Sequence, residues 1–91
     1  MKANKRHYIT MFKEAEVAQH VVDILNTLWV LEGVTFTTDQ DRLSTDHNGS
    51  SHNIHAHDPT GGAKLSKDEV SQIYWQALAV ATSYNKLVRP V

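Results

Sequence analysis

The sequence predicts a small α+β domain in which two amphipathic helices pack on an antiparallel sheet. Two observations support this class. Two long segments repeat apolar residues at helical spacing, and the shorter segments around them alternate in polarity and are rich in β-branched and aromatic residues. The chain has 91 residues, and no plausible boundary divides residues 1–91. We therefore expect a single domain with one thin core.

The first two elements are expected to be a short strand and a helix. Residues 7–12 are mostly β-branched or aromatic, which predicts a strand, although they would also suit a lead-in to the helix. The helix is expected over residues 13–32, because Gly33 follows the last periodic residue as a left-handed C′ residue should. Its apolar arc, roughly 160° wide at 100° per residue, contains Val17, Ala18, Val21, Val22, Ile24, Leu25, Leu28 and Trp29.

Two further strands are expected around a polar loop. Residues 34–38 alternate and are β-branched, so Val34 and Phe36 should face the core. Residues 39–51 are polar and contain many turn formers, which is typical of a loop. Residues 52–57 alternate again, and we expect them to pair with residues 34–38 as a long-looped antiparallel hairpin.

The second helix has a clear start. Ser66 and Glu69 form a capping box, in which each side chain accepts from the backbone amide of the other residue. Apolar residues recur on one face through Val88, which favours two helices on three strands. The alternative ends the helix near Tyr84 and makes residues 86–91 a fourth strand, which gives the β-α-β-β-α-β order of ferredoxin-like folds.

The composition narrows the classes of function. Nine basic and ten acidic residues give a net charge of −1, so the basic excess of a phosphate-binding protein is absent and nucleic acid is not an expected partner. There is no cysteine, which excludes disulfides and thiolate sites. No apolar run approaches the roughly 20 residues of a membrane span, and charged residues interrupt any signal-peptide core. We expect a cytoplasmic protein with no membrane partner.

Histidine is the densest chemical signal, with six in the chain and four between positions 47 and 57. His55 and His57 are two residues apart, so on a strand they project from the same face. Neutral imidazoles in this arrangement can bind zinc or another divalent ion. The residues that could complete such a site are His47, His52 and Asp58. The alternative is a polar loop and strand in which histidine has no chemical role.

Trp75 is the residue most typical of a contact surface. By helical spacing it points roughly 160° from the centre of the core-facing side of the second helix. Exposed tryptophan is enriched among the residues that dominate protein interfaces. The alternative is that a loop or the N-terminal segment folds over it. The residues expected to share its side of the helix are Ser71, Leu78, Ala79 and Thr82.

No catalytic pattern is present: there is no G-x-S-x-G elbow and no acid/base pair of carboxylates at a recognisable spacing. We expect no enzymatic activity.

The leading prediction is a binding protein, either a homodimer or a partner-bound inhibitor or adaptor, that acts through the Trp75 surface without a cofactor. The alternative is a zinc-type metal-binding domain built on His52, His55 and His57. A third interpretation is a small-ligand sensor with tyrosines in a cleft. In size and lack of catalytic motifs the chain is similar to accessory proteins of phages and mobile elements, although it shares no motif with them.

Overall fold

The computed structural model describes residues 5–40 and 51–88. Along the chain it contains β1 (Arg6–Phe12), α1 (Ala15–Leu28), a short 3-10 helix (Val30–Glu32), β2 (Thr35–Gln40), β3 (His52–His57) and α2 (Lys67–Val88). The three strands form one antiparallel sheet. The predicted class, an α+β domain with two helices and a small antiparallel sheet, is confirmed.

The strand order is β1-β3-β2, and β3 pairs antiparallel with both neighbours. β1 and β2 are therefore parallel to each other with β3 between them, which is a split β-α-β unit. The helices pack on the face that presents Ile54 and Ala56, both fully buried. Because side chains alternate along a strand, Asn53, His55 and His57 lie on the opposite face, which neither helix covers.

The first helix is shorter than predicted. It ends at Leu28, and the chain then tightens into the 3-10 turn before Gly33, which has the expected left-handed conformation with a φ of 76°. Most residues of the predicted apolar arc are buried, but Ile24 is half-buried and Leu28 is 53 % exposed. Ile24 lies at the edge of the arc, and Leu28 lies at the end of the helix. The core residues of α1 are Val17, Ala18, Val21, Val22 and Leu25.

Two polar contacts fix α1 to its neighbours. Trp29, the last residue of the predicted apolar arc, is buried, and its indole N–H donates to Oε1 of Gln76 on α2 at 2.7 Å. Asn26 forms a pair of hydrogen bonds with the backbone of Phe36 in β2: its Nδ2 donates to the Phe36 carbonyl at 3.1 Å, and the Phe36 N–H donates to its Oδ1 at 2.8 Å. The Asn26 side chain thereby satisfies backbone groups on the outer edge of β2.

The second helix begins as predicted and continues further than the alternative allowed. The N–H of Ser66 donates to Oε1 of Glu69 at 2.9 Å, and the N–H of Glu69 donates to the Ser66 hydroxyl at 3.1 Å. The helix runs to Val88, so the fourth strand of the ferredoxin-like alternative is not found in the part of the chain that the structure describes. No helix breaker precedes Pro90, which explains this continuation. Neither described helix is long and apolar enough to cross a membrane.

Candidate functional site

Trp75 lies on the solvent side of α2. It is 64 % exposed, and its ring contacts Tyr74 edge-on with the ring centroids 5.2 Å apart. The described part of the chain leaves it open to solvent. The residues predicted to share its side are Ser71, Ala79 and Thr82, which are exposed, and Leu78, which is half-buried. We call these five residues (Ser71, Trp75, Leu78, Ala79 and Thr82) the α2 outer face.

The stretch of α2 that contains this face has no charged residue. From Val70 to Asn85, sixteen consecutive positions lack Asp, Glu, Lys and Arg, and charges return only at Glu69 and Lys86. The outer side of a surface helix normally carries charged residues, whereas the cores of protein interfaces are depleted in them. This feature is visible in the sequence, but reasoning from Trp75 alone misses it.

A groove of about 290 Å³ separates the two helices beside the α2 outer face. Ala79 lines this groove and also belongs to the outer face. Leu28, one turn beyond Ile24 on α1, adds further exposed apolar surface on the same side of the helix. We call it the interhelical groove; its lining residues are His20, Ile24, Ala79, Val80, Ser83, Tyr84 and Leu87.

Polar contacts at both ends hold the groove in shape. At one end the Tyr84 hydroxyl donates to Oε2 of Glu16 at 3.1 Å, and the Tyr84 ring stacks at a tilt on His20 with centroids 4.6 Å apart. Towards the other end of α1, Trp29 donates to Gln76. A surface held in this way loses little conformational entropy when it binds a partner.

The histidines predicted to bind a metal lie on two different faces of β3. His55 and His57 share the uncovered face of the sheet, where they pair with Thr37 and Thr35 of β2. His52 is on the helix-facing side, because it is an odd number of residues away from both. The His57 imidazole is engaged with Thr37, with Nε2 2.8 Å from Oγ1. The strand therefore brings two of the three histidines together and separates the third.

His55 is almost buried although it lies on the uncovered face. It is 7 % exposed, and Tyr8 packs edge-on against its ring. Its Nδ1 lies 3.4 Å from Oδ2 of Asp39 but makes no hydrogen bond among the described residues. Burial, together with the positive charge of Arg6, lowers the pKa of His55 below its ordinary value, while Asp39 acts in the opposite direction. The neutral imidazole is therefore the favoured form.

Asp58, also predicted as a metal ligand, has a structural role. Its Oδ1 accepts hydrogen bonds from Nε2 of His7 at 2.5 Å and from the N–H of Leu65 at 3.2 Å, and its own N–H donates to the Lys5 carbonyl at 3.0 Å. The hydrogen bond from His7 lowers the pKa of the Asp58 carboxyl. This carboxylate joins the turn after β3 to β1 and the start of α2.

Within the described ranges, no three His, Cys, Asp or Glu side chains are grouped so that they could hold a metal ion. His47, the remaining predicted ligand, lies outside the described residues. The metal site therefore stays a prediction to which the described geometry adds no support. The α2 outer face and the interhelical groove are the better candidate.

No protein-family model, no curated protein and no solved structure matches this chain. Its function is therefore inferred from the geometry of the described residues.

Proposed function

We propose that this chain is a binding protein that holds another protein against the α2 outer face. The observation that carries the proposal is Trp75, exposed in the middle of a sixteen-residue helical stretch without a charged side chain. Aromatic residues are enriched and charged residues are depleted where protein interfaces are most deeply buried. An ordinary solvated helix face would show the opposite composition.

The distribution of apolar surface favours the helix layer over the sheet. The large exposed apolar residues of the two helices are Leu28, Trp75 and Leu87, and the 3-10 turn adds Val30 and Leu31. On the uncovered face of the sheet the large exposed side chains are Tyr8 and Met11, and Arg6 and Asp39 form an ion pair there at 3.9 Å. Monomeric proteins rarely expose apolar patches larger than a few hundred Å² unless the patch is a binding site.

The size of Trp75 makes it the expected centre of the contact. A tryptophan buries up to about 250 Å², and roughly 150 Å² of this one is still available to a partner at 64 % exposure. At about 25 cal/mol per Å², its burial would contribute roughly 3–4 kcal/mol before entropic costs. This value is in the range of the few residues that dominate an interface.

The test is the substitution Trp75→Ala, with Tyr8→Ala as a matched control that removes another exposed aromatic residue. Because Trp75 is not part of the core, we expect circular dichroism and the thermal midpoint of Trp75→Ala to match those of the wild-type protein. Association, measured by sedimentation and by capture on the immobilised chain, should weaken at least tenfold for Trp75→Ala and little for Tyr8→Ala. Equal behaviour of the two variants, or unfolding of Trp75→Ala, would show that the proposal is wrong.

A further inference from the structure

The α2 outer face and the interhelical groove complement each other, and we propose that the bound protein is a second copy of this chain. In this dimer, Trp75 of each copy fills the interhelical groove of the other. The inference rests on the proposed function and adds to it the identity of the partner and the contact that it makes.

Trp75 and the groove residue Ser83 lie at equal distances on either side of Ala79 along α2. Trp75 is four residues before Ala79, and Ser83 is four residues after it, so all three lie on one ridge of the helix surface. In an interface between identical copies, a two-fold axis makes each contact occur twice. An axis through Ala79 brings Trp75 opposite Ser83 of the second copy, and Ser83 lines the interhelical groove.

The shapes of the two features are also complementary. The Trp75 ring contacts Tyr74 and does not line the groove of its own chain. Each copy therefore presents a protruding aromatic ring on one side of Ala79 and an open groove of about 290 Å³ on the other. Ala79, at the proposed crossing point, is small enough for two helices to approach closely.

The absence of charge favours an identical partner over an unlike one. At a two-fold axis a side chain lies next to its own counterpart, so a charged residue close to the axis would repel its copy. From Val70 to Asn85 no such residue exists. A face selected to bind an unlike protein has no such requirement, since the partner can supply the opposite charge.

The available area is enough for a weak, specific dimer. Sixteen residues of helix extend about 24 Å, and two packed helices are about 20 Å wide, which gives roughly 500 Å² per copy. Specific interfaces bury at least about 1,000 Å² in total, and those at this lower limit are weak or transient. We therefore expect a dissociation constant in the micromolar range.

The experiment uses two variants that should each disrupt their own dimer and form a complementary charge pair when mixed. Trp75→Arg and Ser83→Glu each replace one side of the contact, so each variant alone should dimerise at least tenfold more weakly than the wild-type chain. In a heterodimer the introduced arginine and glutamate face each other, while native Trp75 and Ser83 form the second contact. Native mass spectrometry of an equimolar mixture should therefore show the heterodimer as the main dimeric species. Thr35→Glu, on the uncovered face of the sheet, should dimerise like the wild-type chain.

Two results would overturn the inference: a wild-type chain that stays monomeric up to near-millimolar concentration, or a mixture without preference for the heterodimer. The proposed function can fail separately. If the chain is monomeric but Trp75→Ala still abolishes capture of a different protein, only the identity of the partner is wrong. If Trp75→Ala changes neither self-association nor capture, both proposals are wrong. Circular dichroism of each variant verifies that the exposed substitutions leave the fold unchanged.

Discussion

His55 is a nearly buried imidazole whose charge state depends on its surroundings. Burial, the positive charge of Arg6 and the neighbouring His57 lower the pKa of His55 from the ordinary value of 6.5. The Asp39 carboxylate raises it, but by less than the other causes lower it. Below pH 6.5 the unfolded chain therefore binds more protons than the folded chain. Protonation therefore favours the unfolded state, and this site lowers the free energy of unfolding as the pH falls.

We expect the free energy of unfolding to decrease as the pH is lowered from 6.5, by at most about 1.4 kcal/mol per pH unit for one proton. His55→Gln should flatten this part of the pH profile. The control His52→Gln replaces a histidine of the same strand on the other face and should keep the His55-dependent slope. Urea denaturation at several pH values measures both. A slope that is the same in His55→Gln and in the wild-type chain would contradict this assignment.

Single residues differ in how far the sequence reveals their roles. Helical spacing separates the two tryptophans correctly: Trp29 is buried and Trp75 is exposed. Spacing does not reveal the hydrogen bond between Asp58 and His7, because the two residues are 51 positions apart in the chain. A carboxylate next to a histidine-rich strand suggests a metal ligand when that pairing is unknown. Local periodicity thus determines which side of a helix a residue occupies, but not which distant group binds it.

Among the elements, β2 depends on a side chain from α1. Asn26 satisfies both the N–H and the carbonyl of Phe36 at the outer edge of the sheet. Edge strands with unpaired backbone groups are sites where sheets of different chains join. The Asn26 amide therefore protects this edge and fixes the distance between α1 and β2.

We expect Asn26→Ala to lower the free energy of unfolding by about 1–3 kcal/mol, because two partly buried backbone groups lose their partners. Asn85→Ala is the matched control: Asn85 is an exposed asparagine on α2, and its replacement should change stability by less than about 0.5 kcal/mol. Chemical denaturation at low protein concentration compares the two. If Asn26→Ala is no less stable than Asn85→Ala, water satisfies the Phe36 backbone and the contact has no structural role.

The elements themselves follow from local sequence signals. The capping box at Ser66 starts α2 where expected, and Gly33 ends the 3-10 turn in the left-handed conformation. The long-looped hairpin is also confirmed, since β2 pairs with β3. The end of α2 does not follow from local signals, because the last residues suit either a helix or an edge strand. The interhelical groove could not be predicted, since it depends on how α1 and α2 approach each other.

At the scale of the whole molecule, two layers leave two surfaces uncovered. The open face of the sheet presents threonines, His57 and an Arg6–Asp39 pair, together with the exposed side chains of Tyr8 and Met11. The outer side of the helix layer presents apolar side chains, among them Leu28, Trp75 and Leu87. Residues 5–40 and 51–88 contain no third layer to cover them. We therefore expect association, if it buries the helix side, to remove the larger apolar surface from water.

The measurement that tests self-association through Trp75 most directly is iodide quenching of its fluorescence over a range of protein concentrations. The chain has two tryptophans; Trp29 is only 6 % exposed whereas Trp75 is 64 % exposed, so iodide quenching of the wild-type chain reports mainly on Trp75. We expect quenching to be strong in dilute solution and to decrease as the concentration rises through the micromolar range, because each indole enters the groove of a second copy. Quenching that stays constant at all concentrations would show that Trp75 is not covered by a second copy and would contradict the proposed dimer.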